Sequence, residues 1–330
     1  MPIISVVIPV FNGEKTIQAT LESVLKQTFE NFEIIIIDDG SFDSTLEIIS
    51  KISDSRIKVF SYANSGASVS RNRGFSHACG EFIALLDADD LWTVDKLESQ
   101  LTVLEENPQA MVAYSWSDCI EESGNFLRPS CHFTYTGNVF ANLLVANFIG
   151  NGSVILVRQQ VVKEIGDFNE SLQAAQDWDW YLRLAYRYEF VVVPRVQVLY
   201  RESKNSISSN VNRLEEASIT VIKKAFDQAP VSLDYLKKYS LANLYKYLIF
   251  KALNYPLERS VGLTTIKFIV YVIKNEPIFL KKQPKLLIKA FYKSVLVIFL
   301  SPLVAQKVFS KFPRISNTTA FLFYINTNPF

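Results

Sequence analysis

The sequence Phe82-Ile83-Ala84-Leu85-Leu86-Asp87-Ala88-Asp89-Asp90 joins a run of five apolar residues to three carboxylates. The apolar run has the length and flanks of a β-strand that is buried on both faces. The acids follow where such a strand leaves its sheet, and open α/β sheets bind ligands at the carboxyl ends of their strands. The sequence therefore predicts a ligand-binding turn directly after this strand.

Three carboxylates this close together repel one another unless a cation lies among them. Oxygen ligands suit a hard cation such as Mg²⁺ or Mn²⁺, and such a cation commonly bridges a protein to a diphosphate. The alternative is an acidic turn in which Asp90 caps a following helix, because Asp is favoured at that position. The sequence favours the metal site and leaves the helix cap as the alternative.

Strand-like and helix-like segments alternate from the N-terminus to this turn. The strand-like segments are 3–10, 32–37 and 56–61, and the helix-like segments are 14–26, 43–52 and 67–78. Such alternation predicts an α/β fold with a mostly parallel, Rossmann-like sheet flanked by helices.

Two common nucleotide-binding motifs are missing from the sequence. No G-x-G-x-x-G follows the first predicted strand, and no G-x-x-x-x-G-K-[ST] occurs anywhere in the chain. Both a dinucleotide-binding oxidoreductase and a P-loop phosphotransferase are therefore disfavoured. In their place, the second and fourth predicted strands end in acids. Asp39 is placed to accept hydrogen bonds from a base or ribose, and Asp87 and Asp89 to hold ribose and metal.

Composition indicates a folded protein in a reducing compartment. The chain has 330 residues, of which 49% are hydrophobic, enough for one large domain or two. Its three cysteines form no C-x-x-C pair, which argues against a disulfide framework or a zinc site. No basic segment precedes the first apolar run, so we expect no signal peptide and a cytoplasmic location.

The net charge of +1 hides a division of the chain into two parts. Residues 1–209 carry 16 Lys and Arg against 27 Asp and Glu, a net charge of −11. Residues 210–330 carry 18 Lys and Arg against 6 Asp and Glu, a net charge of +12. An acidic first part suits a metal site, and a basic, aromatic-rich second part suits an anionic membrane surface or a phosphate-bearing acceptor.

Five short motifs follow one another in the first 116 residues. They are Ser5-Val6-Val7-Ile8-Pro9-Val10-Phe11-Asn12, Ser23-Val24-Leu25-Lys26-Gln27-Thr28, Ile37-Asp38-Asp39-Gly40-Ser41, Arg71-Asn72-Arg73-Gly74 and Leu86-Asp87-Ala88-Asp89-Asp90. On these motifs, residues 3–116 resemble the nucleotide-binding half of an inverting family 2 glycosyltransferase with the GT-A fold. Each motif alone is weakly specific, but five in the same order are strongly specific.

The resemblance implies a set of residues that bind a nucleotide-diphosphate sugar, with a UDP-sugar as the expected donor. They are Pro9, Phe11, Glu14, Asp39, Arg71, Asp87, Ala88 and Arg201. It also implies a Mg²⁺ or Mn²⁺ cofactor held by Asp89 and Asp90, which would neutralise charge on the departing diphosphate. Ser203 stands where relatives often carry a His that approaches the metal, so the third metal ligand is in doubt.

The resemblance extends over residues 150–203, where Gln176-Asp177-Trp178-Asp179 opens a predicted helix. In the family the Asp of this motif is the catalytic base, and that role carries over to Asp177. Gln176 replaces the Glu that is common before it, which removes one neighbouring charge. The alternative for Asp177 is an acid at a helix start, stabilised by the helix dipole.

The predicted organisation is a GT-A domain over residues 1–209, with a nucleotide-binding half (1–116) and an acceptor half (117–209), followed by a basic helical region over 210–330. The apolar segments 261–273 and 286–305 are interrupted by Lys267, Lys289 and Lys293. We therefore expect helices that lie on the inner face of a membrane rather than cross it. A small helical domain with a solvated basic face is the alternative.

Together these features predict an inverting hexosyltransferase-like enzyme. It would move a sugar to a hydroxyl of a polysaccharide, a glycan or a lipid-linked saccharide, and would not bind nucleic acid. Two alternatives stay open at this point. One is a sugar-1-phosphate nucleotidylyltransferase, which would want a Gly-rich loop after the first strand, and the other is a silent nucleotide-sugar-binding protein of the same fold.

Overall fold

The computed structural model describes residues 1–203, 210–254, 259–312 and 317–328. The chain divides into two compact units. The sheet unit comprises Met1–Phe140, Phe148–Leu172 and Gln176–Ser203, and the helical unit comprises Ala141–Asn147, Gln173–Ala175 and Lys204–Phe330. The predicted boundary between residues 209 and 210 adjoins residues 204–209, which lie outside the described residues.

The first part of the sheet unit is built from parallel strands joined by helices. Its strands are β1 (Ile4–Val10), β2 (Phe32–Asp38), β3 (Ile57–Ser61) and β4 (Phe82–Leu85). The helices between them are α1 (Ile17–Leu25), α2 (Thr45–Ser50) and α3 (Ala67–His77). The strands lie in the order β3-β2-β1-β4, and all three pairs are parallel. Every residue of β2 is buried, as its run of four isoleucines over 34–37 predicts for a strand covered on both faces. The buried Glu33 of this strand pairs with Lys58 at 2.7 Å.

The second part of the sheet is mixed. Its strands are β5 (Leu91–Trp92), β6 (Ala110–Ile120), β7 (Phe126–Pro129), β8 (Ile155–Arg158) and β9 (Glu189–Arg201). The sheet continues from β4 as β8-β6-β9-β5, with β7 on the edge of β6. β8 runs antiparallel to both β4 and β6, whereas β6 and β9 are parallel. The α/β class is therefore confirmed, and parallel pairing dominates only the first four strands.

Three further helices belong to the sheet unit: α4 (Lys96–Glu106), α6 (Gln159–Ile165) and α7 (Gln176–Ala185). The helix α5 (Phe140–Val145) belongs to the helical unit except for its first residue. α7 begins at Gln176, as the sequence predicts.

The sheet opens between β1 and β4. Their pairing ends at Val7 and Leu85, and the last bond runs from the Leu86 N–H to the Val7 carbonyl at 3.0 Å. β1 continues to Val10 beside β2. Successive residues of a strand face alternate neighbours, so Pro9 turns its nitrogen toward the β4 side, where β4 has ended and no N–H is needed. The strand order reverses at this gap, which is where doubly wound sheets bind ligands.

The helical unit consists of helices along most of its length. They are α8 (Val211–Gln228), α9 (Lys237–Asn254), α10 (Arg259–Asn275), α11 (Pro277–Lys282), α12 (Pro284–Phe299) and α13 (Pro302–Lys311). Proline stands at the start of the last three, where its missing N–H costs no helical bond. The apolar segment 286–305 is therefore divided between two helices by Pro302.

Two contacts hold the helices of the helical unit close together. Gly262 of α10 approaches α12 so closely that a Cβ there would lie 2.7 Å from the Ser294 carbonyl. The buried Lys246 of α9 donates to Glu276 at 2.5 Å and to the carbonyl of Tyr324 at 2.9 Å. This lysine joins the end of α10 and the C-terminal segment to α9. No helix in the described parts of the chain is both long and apolar enough to cross a bilayer.

Candidate active site

Arg71 and Asp87 form an ion pair at the mouth of the gap between β1 and β4. The Arg71 Nη2 atom lies 2.5 Å from Asp87 Oδ1, and the Arg71 guanidinium faces the ring of Phe168 at 5.4 Å. Burial lowers the pKa of Arg71, but Asp87 more than offsets this, so its pKa lies above the usual value. α3 thus presents a permanent, nearly buried cation beside the acid that follows β4.

Asp177 lies in the same electrostatic cluster. It occupies the first turn of α7, where the helix dipole favours a negative charge. Its charge contributes to raising the pKa of Arg71 and, together with burial, the pKa values of Tyr181 and Cys131. The fold therefore brings Asp177 from the second part of the sheet unit to the cation at the end of the first part.

The loop before α7 is fastened to α3, which holds these groups together. Asn72, the neighbour of Arg71, donates to the Phe168 carbonyl at 3.0 Å and accepts from the Phe168 N–H at 2.8 Å. Arg183 of α7 pairs with Asp179 at 2.9 Å and donates to the Asp167 carbonyl at 2.8 Å. These bonds position Asp177 relative to Arg71 through the backbone on both sides.

Asp89 is a half-buried carboxylate near Asp87. Burial and the charge of Asp87 raise the pKa of Asp89 to about 6. Two crowded carboxylates of this kind fit a divalent cation, because a positive charge between them would remove the repulsion. Mg²⁺ is commonly held by one or two carboxylates together with substrate phosphates. Within the described residues, no three His, Cys, Asp or Glu side chains form a metal-binding group.

Asp90 differs from its neighbours because it is fully buried. Its carboxylate accepts from the Ser153 hydroxyl at 2.5 Å and from the Arg201 N–H at 2.9 Å. Burial, then Asp89 and Asp87, raise the pKa of Asp90 well above its usual value. The predicted metal ligation by Asp90 has no support from these contacts. Nor does Asp90 cap a helix, since α4 begins at Lys96 with Asp95 at its cap position.

Two hydroxyls that sequence reasoning missed hold the acidic turn in place. Ser153 accepts from the Asp87 N–H at 3.0 Å while donating to Asp90. Thr20 of α1 reaches the carbonyls of Ala88 and Asp90, both at 2.9 Å. Thr20 interrupts the otherwise apolar buried face of α1, which is the one signal in the sequence for its role.

Asp39 lies at the end of β2, as predicted, but its carboxylate is occupied by the protein. Its two oxygens accept from the backbone N–H groups of Ser65 and Gly66 at 2.9 and 2.8 Å. The Arg73 guanidinium lies 3.5 Å away. Each oxygen keeps a second lone pair, so a donor group of a nucleotide base can still be accepted.

Two aromatic rings lie in contact in the loops that follow β1 and β2. Phe11 is half exposed, and its ring meets the edge of Phe42 with centroids 5.9 Å apart. Phe42 was missed by sequence reasoning, although it is a large apolar residue directly after the acidic motif, and it is 83% exposed. Together the rings offer an apolar surface of the kind on which a base stacks.

Glu14 joins the two loops that follow β1 and β2. Its N–H donates to Asp43 at 3.1 Å, and its carboxylate accepts from the Ser44 N–H at 3.2 Å. Glu14 is exposed beside the Phe11 loop, so its predicted contact with the donor remains a prediction. Pro9 and Ala88 line the two sides of the gap and are both half-buried.

Arg201 lies near the acidic turn but is engaged by backbone. Its Nε donates to the Asp89 carbonyl at 2.8 Å, and its Nη1 donates to the carbonyls of Glu121 and Glu122 at 3.1 and 2.9 Å. The predicted contact of Arg201 with a diphosphate has no support from these bonds. Arg201 thus links the acidic turn to the residues that follow β6 by hydrogen bonds to their backbone carbonyls.

A family model described as glycosyltransferase like family 2 matches residues 5–252. The chain belongs to this family. The family predicted from the sequence is therefore confirmed.

Three relatives illustrate the range of similarity within family 2. An Escherichia coli protein named UDP-Glc:alpha-D-GlcNAc-diphosphoundecaprenol beta-1,3-glucosyltransferase WfgD is 30% identical over 251 residues, which cover 74% of this chain and 95% of that protein. An uncharacterized glycosyltransferase of Haemophilus influenzae is 28% identical over 90% of this chain and 99% of its own length. A Rickettsia felis relative is 41% identical over 142 residues, 43% of this chain but only 23% of that longer protein. The relatives are named glycosyltransferases, so the predicted enzyme class is confirmed as well.

Solved structures of TarS from S. aureus share the fold of this family 2 protein. Residues 1–349 of TarS in complex with UDP-GlcNAc superpose with a TM-score of 0.56 at 18% identity, covering 83% of this chain and 89% of that one. A longer TarS structure gives a TM-score of 0.58 at 20% identity and covers 98% of this chain and 55% of that one. At these identities the likeness concerns the fold, and it confirms the predicted GT-A architecture.

Proposed function

We propose that this family 2 protein transfers a sugar from a UDP-sugar to an acceptor hydroxyl, with inversion at the anomeric carbon. The observation that carries the proposal is the cluster of Arg71, Asp87 and Asp177 at the open end of the gap between β1 and β4. It combines a buried cation, an acid on the donor side and an acid from a separate part of the fold. The names of the relatives support a UDP-linked donor, because WfgD is named as using UDP-Glc and TarS was solved with UDP-GlcNAc.

Asp177 is the proposed base. It accepts the proton of the acceptor hydroxyl while that oxygen forms a bond to the anomeric carbon, and the bond from that carbon to the diphosphate oxygen breaks with its electron pair. The neighbouring Arg71 cation favours the ionised form of Asp177, which is the form that accepts a proton. A single displacement needs base and leaving group on opposite sides of the sugar, so an acid supplied by α7 suits this role.

The donor is proposed to lie along the gap between β1 and β4. Its base would stack on the Phe11 and Phe42 surface and donate to Asp39, while its ribose would contact Asp87. Pro9 and Ala88 would flank it, and Glu14 would approach it from the first loop. Because Asp39 is already fixed by Ser65 and Gly66, its free lone pairs point in set directions before the donor binds.

Asp89, with Asp87 beside it, is the residue proposed to hold Mg²⁺ or Mn²⁺ at the diphosphate. When bound, such a cation neutralises charge on the departing diphosphate. The raised pKa of Asp89 supports this assignment, because burial and then the charge of Asp87 raise it, and a bound cation would offset both. Asp90 and Arg201 would act only as supports of the turn that carries Asp89.

The acceptor is proposed to be a saccharide hydroxyl, on a polysaccharide, a glycan or a lipid-linked saccharide. The name of WfgD, which specifies a diphosphoundecaprenol acceptor, favours the lipid-linked class. Such an acceptor would place the enzyme at the inner face of a membrane.

The nucleotidylyltransferase alternative is disfavoured by the first loop. A phosphate-cradling loop directs its backbone N–H groups at the ligand. Here the N–H groups of Asn12, Gly13 and Glu14 donate instead to side chains of Ser41, Thr45 and Asp43, at 2.9, 2.8 and 3.1 Å. They are therefore not directed at a ligand.

Incubation with a panel of UDP-sugars, Mn²⁺ and a polyprenyl-diphosphate saccharide tests the proposal. We expect free UDP and an extended saccharide, and thermal stabilisation by the correct donor of about 2.7 kcal/mol at a hundred times its dissociation constant. Formation of UTP from UDP-sugar and pyrophosphate would identify a nucleotidylyltransferase. Donor binding without UDP release above the level of Asp177→Asn would identify a silent binding protein.

A further inference from the structure

The helical unit carries an outward-facing apolar surface on α12 that the proposed function does not use. Phe291 and Tyr292 lie three and four residues after Ile288, and Phe299 lies seven residues after Tyr292. At these spacings the four side chains lie on one face of the helix. They are between 50% and 80% exposed. The opposite face of α12 is buried and mostly apolar, through Leu286, Leu287, Ala290, Lys293, Ser294 and Val297. α12 therefore exposes large apolar side chains on one face, while its other face packs against protein.

The next helix extends this surface. α13 packs on α12 through a small core of Val297, Ala305 and Phe309. It leaves Leu303 and Val304 exposed, four and five residues beyond Phe299. We call the exposed apolar residues of these two helices, Ile288, Phe291, Tyr292, Phe299, Leu303 and Val304, the α12–α13 surface.

The segment of the chain that carries the α12–α13 surface contains only basic charges. Residues 277–330 contain eight Lys and Arg and no Asp or Glu. Lys281, Lys282 and Lys285 are exposed at the start of α12 and immediately before it. The outer face of α10 alternates in the same manner, in the order Leu263, Lys267, Val270 and Lys274, with Lys267 paired to Glu215 at 3.3 Å. Apolar and cationic groups therefore share the exposed faces of three helices.

This combination matches a lipid surface better than a protein surface. Exposed apolar patches of this kind mark interaction sites. The cores of protein–protein interfaces are depleted in Lys, whereas helices that lie in the membrane interface combine Phe and Leu on one face with Lys and Arg around it. A bilayer with anionic headgroups meets both requirements, since it offers hydrocarbon at the boundary and phosphate just above it.

We propose that the α12–α13 surface seats the helical unit on an anionic lipid bilayer. Ile288, Phe291 and Phe299 enter the boundary between headgroups and acyl chains, and Lys281, Lys282 and Lys285 contact lipid phosphates. Each such lysine contributes about fivefold to the partition coefficient at low salt. The inference rests on the helical unit alone and stands whether or not the donor is a UDP-sugar.

Flotation of the full-length protein with vesicles tests the surface. We expect binding to phosphatidylcholine vesicles containing phosphatidylglycerol, weakened by high salt, and much weaker binding to phosphatidylcholine alone. Phe299→Glu should lower the partition coefficient about tenfold or more, because an apolar side chain is lost from the lipid boundary. Val231→Glu is the matched control, since Val231 is as exposed as Phe299 but lies in the 3-10 turn Val231–Leu236 before α9.

Circular dichroism and UDP release separate loss of fold from loss of binding. Equal losses from Phe299→Glu and Val231→Glu would overturn the proposal, as would equal binding to neutral and anionic vesicles. A wild-type dimer in sedimentation that becomes a monomer in Phe299→Glu, without any vesicle binding, would assign the surface to a second copy of the chain instead.

Discussion

Buried charge is used differently in the two units. In the sheet unit the buried acids Asp39 and Asp90 stand at strand ends and accept from backbone N–H groups and a hydroxyl. In the helical unit the buried cations are lysines on helix faces, such as Lys246, which is paired with Glu276, and Lys293, which lies 5.1 Å from the ring of Phe309. The buried acid Glu215 accepts there from the side chains of Tyr245 and Lys267. Strand ends have free backbone donors, whereas a helix interior has none to offer.

The buried acids of the sheet unit and the buried lysines of the helical unit therefore have different roles, one in the reaction and the other in stability. A carboxylate held by backbone donors is preorganised and can still face an open gap, so it can take part in a reaction. A lysine enclosed by helices has its partners inside the protein and serves to join segments, as Lys246 joins α9 to Glu276 and Tyr324. Substitutions of the acids that face the gap in the sheet unit should therefore alter activity first, and those of the buried lysines in the helical unit should alter stability first.

The largest effect is expected at Asp177. Asp177→Asn keeps the shape of the side chain and removes its basicity, so turnover should fall by about two to four decades while donor binding is retained. Steady-state kinetics and donor titration measure the two quantities. The control is Asp167→Asn, an exposed acid in the preceding loop. Turnover of Asp177→Asn within a few-fold of wild type would remove Asp177 from the mechanism.

The next largest effects are expected at the adjacent acids Asp89 and Asp90, which we expect to affect metal response and stability respectively. Asp90→Ala leaves the Ser153 hydroxyl and the Arg201 N–H without their buried partner, so the free energy of unfolding should fall by about 2–4 kcal/mol. Asp89→Asn should instead abolish the response of activity to Mn²⁺, with no loss of stability in metal-free protein. Denaturant unfolding and metal titration distinguish the two. If Asp90→Ala lost the metal response at unchanged stability, Asp90 would be the ligand after all.

The buried Lys293 should make the free energy of unfolding depend on pH. Burial, and then the charge of Lys289, lower the pKa of Lys293 to about 8, against a usual value of 10.5. As pH rises between these values, the folded protein releases this proton before the unfolded chain does, so its contribution to stability increases with pH. Lys293→Met should therefore be more stable than wild type by about 3 kcal/mol at pH 7, and the gain should vanish near pH 10.5.

Thermal unfolding of both proteins across this range measures the Lys293 effect. The exposed Lys281→Met is the control and should show no such trend. A difference between wild type and Lys293→Met that does not change with pH would exclude a buried cation at this position. Activity should be the same in both variants at pH 7.

The smallest effect is expected at Phe42. Removal of its ring in Phe42→Ala should raise the KM for donor a few-fold with little change in kcat, since an edge contact between aromatic rings contributes about 0.5–1.5 kcal/mol. Phe126→Ala, another exposed phenylalanine in the sheet unit, is the matched control. Equal kinetics of Phe42→Ala and wild type would show that Phe11 alone forms the base surface.

The sequence was sufficient wherever a local pattern determines structure. The apolar run of β2, the acids after β4 and the start of α7 at Gln176 all follow from neighbours in the chain. The structural role of Asp90 could not be predicted in this way, because its partners lie far along the sequence: Ser153 in a 3-10 turn before β8 and Arg201 at the end of β9. The antiparallel insertion of β8 was missed for the same reason, since strand direction depends on tertiary packing.

The bond from Arg201 to Asp90 also bears on how the protein is made. Asp90 belongs to the first part of the sheet unit, but the N–H from which it accepts belongs to Arg201, the last residue of β9. Among the described residues, β9 is the last strand in sequence order. During synthesis the Asp90 carboxylate cannot accept its bond from Arg201 until β9 has been made. Such non-local contacts form slowly. A fragment ending at residue 116 would contain all five motifs but would lack Ser153 and Arg201, the hydrogen-bond partners of Asp90. The motifs are therefore complete in the chain before the site that they predict can form.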